Sequence, residues 1–224
     1  MGQRHQYIIV YPAVFYNDDN CNNRPVRAEV IHHQWLYGRS AIFSLERVLK
    51  YISKADKYGR TTDAIASAIS IDHDSGYFHR VSIWDKAGWN SMQSGGDYGD
   101  TGYTTPDKLT PNMFDNNDGC TVIVMPKEES GKPYVCFVTP GHLEGEHWSE
   151  SKGQGAWTPE QYLEFYYSKA DRIAWNKEPE GQGLNEAVNK SLEVISKLSE
   201  PLSTDDACSL LPKFKLKKAR KKRA

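Results

Sequence analysis

The sequence predicts an α+β fold: a mainly antiparallel sheet with amphipathic helices packed on it and a helical C-terminal annex. Two observations carry this expectation. Runs rich in Ile, Val and Tyr fall mostly before residue 140, whereas helical periodicity gathers after Thr158. The strands also do not alternate one for one with helices, as a doubly wound sheet requires. With 224 residues, 38 % hydrophobic and 12 % aromatic, the chain can build a packed core. The expected organisation is an α+β domain over residues 1–176, a helical annex over 177–211 and a disordered basic tail over 212–224.

Tyr7 to Phe15 reads as a strand, the polar stretch Asn17 to Pro25 breaks it, and Arg27 to Tyr37 resumes as a second strand that Gly38 ends. Ser40 can cap a helix in which Ala41, Ile42, Leu45, Val48, Leu49 and Ile52 recur at the three-and-four spacing that places apolar side chains on one face. A shorter helix is expected from Thr62 to Ser70, and a strand from Tyr77 to Trp84. Asp85 to Asp115 is a long Gly, Ser, Asp and Tyr-rich loop, of a length that tends to carry function. Cys120–Met125 and Tyr134–Thr139 read as a hairpin around Pro126–Pro133. Thr158-Pro-Glu-Gln161 is a helix start with Thr as N-cap, Pro at the first helical position and Gln placed for the reciprocal bond. That helix is expected to run through Trp175. Another spans Leu184 to Leu198, with Leu184, Val188, Leu192 and Ile195 at helical spacing, and Pro201 stops it.

Charge is distributed very unevenly. The chain holds 28 Lys and Arg against 29 Asp and Glu, yet Lys213, Lys215, Lys217, Lys218, Arg220, Lys221, Lys222 and Arg223 all fall in the last twelve residues before the terminal alanine. Without those eight the body has 20 basic against 29 acidic residues, a net charge of −9. A block of like charge stays solvated and serves as an interaction arm or an address. No stretch approaches the roughly 18 apolar residues of a membrane span, and no apolar run follows the basic N-terminus. The expected compartment is therefore cytoplasmic or nuclear rather than secreted. Cys21, Cys120, Cys136 and Cys208 lie far apart without a CxxC pair, which fits neither a disulfide framework nor a zinc knuckle.

The densest polar and aromatic run is His32-His33-Gln34-Trp35-Leu36-Tyr37-Gly38. On a strand, successive side chains point to opposite faces, so His32 and His33 cannot both bind one metal ion without a bulge. Two readings stand open. One makes these a hydrogen-bonded core histidine and a surface histidine; the other lines a pocket with His33, Trp35 and Tyr37 beside Arg4 and His5. If the first two strands pair antiparallel through the Asn17–Pro25 loop, His5 is expected near Tyr37.

Asp115-Asn-Asn-Asp-Gly119 invites a calcium loop, but counting back from Gly119 as the sixth position puts Phe114 where an aspartate ligand belongs. Turn chemistry is the simpler reading, with Asp115 or Asp118 as general base or weak metal ligand the alternative. His142 and His147 are five apart, about 500° around a helix, so they do not share a face as zinc-peptidase histidines do. The glycines from Gly95 to Gly102 lack the Lys and Ser/Thr of a phosphate loop and carry Asp97 and Asp100, which suits a lid instead. No motif calls for a cofactor or a resident metal.

The segments Met1-Gly-Gln-Arg-His-Gln6, His32-His-Gln-Trp-x-Tyr-Gly38 and Asp115-Asn-x-Asp-Gly-x-Thr-Val-Ile123, with Thr158-Pro-Glu-Gln-Tyr162 after them, resemble a protein family of fungal and phage or viral genomes that carries no assigned activity. The resemblance covers roughly the first 170 residues. It implies that Arg4, His5, His33, Trp35, Tyr37, Asp115 and Asp118 form one constellation, and it leaves the basic tail outside.

Three functional readings follow. The first is a binding protein whose acidic body meets a protein partner while the tail contacts nucleic acid or an import receptor. The second is a hydrolase or phosphodiesterase-like enzyme, with His5 or His33 as acid or base and Asp115 or Asp118 orienting it, and Arg4, Trp35 and Tyr37 contacting ligand. The third is a structural component of a phage or viral particle, which would appear as a stable oligomer in solution.

Overall fold

The computed structural model describes residues 4–11, 27–34, 36, 38–55, 65, 78–83, 117–126, 128, 130–139, 155–166, 170, 173–174, 177 and 179–211. In chain order these form β1 (Arg4–Tyr11), β2 (Arg27–Gln34), α1 (Gly38–Lys54), β3 (Phe78–Ile83), β4 (Asn117–Val124), β5 (Tyr134–Thr139) and β6 (Gly155–Trp157). They continue with α2 (Pro159–Tyr166), α3 (Pro179–Leu198), β7 (Glu200–Pro201) and α4 (Thr204–Leu210). The fold is α+β.

One mixed sheet has the order β3-β2-β1-β4-β5-β6, with β7 added to β5. The β1–β2, β2–β3, β4–β5 and β5–β6 pairs are antiparallel, whereas β1–β4 and β5–β7 are parallel. The N-terminal strand thus lies in the middle of the sheet. Its residues alternate between two apolar layers, as the strand period of two demands. Tyr7 and Ile9 join Ile123, Val135 and Phe137 beneath α1, α2 and α3. Ile8 and Val10 join Cys120, Val122, Cys136 and Val138 on the opposite face, where Ala207 of α4 and Leu211 close the layer.

Helix α1 forms as its spacing predicts: Ala41, Ile42, Leu45, Val48, Leu49 and Ile52 are all buried. Its start is different. Gly38 does not end a strand but opens the helix with φ 51°, and Ser40 lies inside it. Strand β2 has already ended at Gln34. Strand β1 begins three residues before its apolar run, because ladder pairing on both sides carries polar His5 and Gln6 into the sheet.

The Thr158 start is present in full: Gln161 N–H donates to Thr158 Oγ1 at 3.3 Å and Thr158 N–H donates to Gln161 Oε1 at 3.0 Å. The helix it begins is α2, described from Pro159 to Tyr166, and farther along the expected span Ala170, Ile173 and Ala174 are helical as well. Helix α3 starts at Pro179, five residues before Leu184, because Pro179 suits the first turn while Gly181 and Gly183 hide the helix from a propensity reading. Its Val188 and Ile195 enter the same apolar cluster as α1. Strands β6 and β7 and helix α4 are additions to the expected elements; the strands are too short to show a period. Of the helix expected over Thr62–Ser70, Ile65 alone lies among the described residues, where it is helical and buried. No described helix is long and apolar enough to cross a membrane.

Candidate functional site at one end of the sheet

The registers assemble a transverse row at one end of the sheet. The Cα of His5 pairs with that of His33 on β2, whereas Tyr37, expected near His5, lies outside the described residues. On the other side, β1 pairs with β4 at Arg4–Asn117 and again at Gln6–Cys120. One residue on β1, His5, therefore faces two on β4. The extra residue makes a bulge at Asp118–Gly119, beside His5. Gly119 adopts φ +125°, a backbone geometry that side-chain-bearing residues avoid, and a Cβ there would sit 2.8 Å from the Val138 carbonyl oxygen. Bulges re-aim a strand locally and recur next to functional sites.

His5 is fully buried. Its Nε2 lies 2.7 Å from Thr121 Oγ1, a hydrogen bond that holds the ring plane. Three aromatic rings surround it: Tyr7 at 5.9 Å, Phe137 at 6.0 Å and Tyr162 at 6.1 Å between centroids. The Tyr7 and Tyr162 contacts are edge-on, a favourable geometry for a ring quadrupole. Tyr162 stacks on Phe137 at 4.0 Å, and its hydroxyl accepts the Gly38 N–H at 3.1 Å. That bond satisfies one of the backbone donors that a helix N-terminus leaves over. Further along the row, Trp157 Nε1–H donates to Thr139 Oγ1 at 2.7 Å.

A chain of contacts thus links Thr121, His5, Tyr162 and Gly38. Each of these residues belongs to a different one of the four sequence segments singled out above. Segments scattered over more than 150 residues meet at one end of the sheet because β1 is central and α1 and α2 both start there.

The other face of the same strands is chemically quiet. Burial pushes the Cys120 thiol up strongly, with neighbouring Cys136 adding to it. Cys136 is pushed up to about 12 by burial and by Cys208. Thiols held protonated in this way are poor nucleophiles. Cys120 Sγ–H points to Gln6 Oε1 at 3.8 Å, a weak bond that gives the buried amide a partner.

Of the residues expected to carry function, His5 is placed in full. Arg4, His33 and Asp118 are placed by backbone and register, within one strand spacing of the His5 row. Trp35, Tyr37, Asp115 and Lys213 through Arg223 lie outside the described residues. Thr121 and Tyr162 are contacts of His5 that the sequence alone does not single out. Both sit inside segments already noted for their wording, which was the available signal. Among the described residues no cluster of His, Cys, Asp and Glu is suited to a metal ion. In comparison with protein families, curated proteins and solved structures, the chain matches no family model, no curated protein and no solved structure.

Proposed function

We propose that the protein is a binding protein whose acidic α+β body carries a basic C-terminal arm that contacts nucleic acid. The observation that carries this is the charge division itself: eight cationic residues without one acid, attached to a body of net −9. The attachment supports it. Leu211, the residue before the arm, is fully buried against the sheet layer and its N–H donates to the Ala207 carbonyl, so the arm leaves the body from a fixed point. Each Lys or Arg that neutralises a phosphate releases counterions, so about six to eight contacts give a steep, sequence-independent salt dependence. Phe214 is the arm's one aromatic residue, so base stacking contributes little.

The test compares the full chain with a form ending at Leu211, binding fluorescent duplex DNA and RNA at 50 and 200 mM salt. Expected is binding by the full chain that weakens by orders of magnitude between the two salts, and loss of binding on truncation. Equal binding by both forms would remove the reading. Nuclear accumulation of a reporter fused to the arm, with no nucleic-acid binding, would make it an address.

The His5 row supports a second reading, a hydrolase or phosphodiesterase-like activity at the sheet end. It rests on the meeting of four distant segments through Thr121, His5, Tyr162 and Gly38, with His33 and Asp118 at neighbouring register positions. In this reading His33 and Asp118 carry the proton transfers and buried His5 positions them. Turnover of generic chromogenic esters and phosphodiesters is compared for the wild type, His33→Ala and Asp118→Asn. Absence of turnover in the wild type, or equal rates in all three, counts against it.

A further inference from the structure

We draw no further inference here: the strongest candidate, the transverse row of His33, His5 and the Asp118–Gly119 bulge beside the start of α1, belongs to the site already described.

Discussion

The Tyr162 hydroxyl accepts the backbone N–H of Gly38, tying the first residue of α1 to the end-of-sheet aromatic cluster across 124 positions of chain. Replacing Tyr162 with Phe keeps the ring stacked on Phe137 and leaves the Gly38 donor without that acceptor. The expected cost is about 1–3 kcal/mol, read as a lower midpoint in urea with an unchanged slope. Tyr162→Ala also removes a fully buried ring and is expected to cost more, about 3–5 kcal/mol. Equal stability of Tyr162→Phe and wild type would show the bond to be energetically idle.

Two glycines are expected to respond with opposite signs. Gly119→Ala forces a Cβ against the Val138 carbonyl at an unfavourable positive φ, and should destabilise by at least about 1–3 kcal/mol. Gly183 lies in α3 with nothing within 4 Å of an added Cβ, so Gly183→Ala should stabilise by about 0.5–1 kcal/mol. Thermal melts of both variants check this; a neutral Gly119→Ala would mean that the bulge can relax.

Ser191 on α3 donates a 2.5 Å hydrogen bond to Glu46 Oε2 on α1, while Lys50 holds the other carboxylate oxygen at 2.5 Å. Burial pushes the Glu46 carboxyl up, but the hydrogen bonds from Lys50 and Ser191 and the charges of Lys50 and Arg47 outweigh it and hold it below the usual range. A carboxyl with a depressed folded-state pKa adds stability above its unfolded value near 4.5, and that contribution is lost as pH falls through the folded value. Glu46→Gln is therefore expected to be less stable than wild type at pH 7, and the difference should shrink as the pH falls below the unfolded value of 4.5. A difference independent of pH would assign the effect to packing.

Thiol labelling should follow burial. Cys208 is half-buried, while Cys120 and Cys136 are buried and held protonated. With iodoacetamide at pH 8, followed by peptide mass spectrometry, Cys208 should be the first of the three described cysteines to be modified, and the buried pair should react only at the rate of unfolding. Modification of Cys136 as fast as Cys208 would show that α4 opens readily from the sheet.

Elements with a strong local cause were legible in the sequence. Six apolar residues at helical spacing gave α1, and the Thr158–Gln161 box gave the start of α2 at the right residue. What stayed hidden depends on partners distant in the chain. Nothing local marks β6 or β7, whose few residues are strands because β5 offers a free edge: Glu200 and Leu202 donate to the Pro133 and Val135 carbonyls at 2.9 and 2.8 Å. Helix α4 had a readable signal, Ser203 capping the Asp206 N–H with two acids in the first turn, but one so short carries no apolar period. At the site, His5 was legible as a candidate from its company, whereas Thr121 and Tyr162 become its neighbours only once β1 has paired with β4 and α2 has packed beneath it.

The central place of β1 has a consequence for biosynthesis. His5 and Thr121 are 116 residues apart, so the strand made first must wait for β4 before its second edge is paired. At roughly 5–20 residues per second that wait is on the order of 6–20 s. Until then the backbone groups of β1 that pair with β4 lack their native partners, and Ile8 and Val10 lack the cover of Cys120 and Val122. The yield of folded protein is therefore expected to vary with translation speed and with whatever shields that edge in the interval.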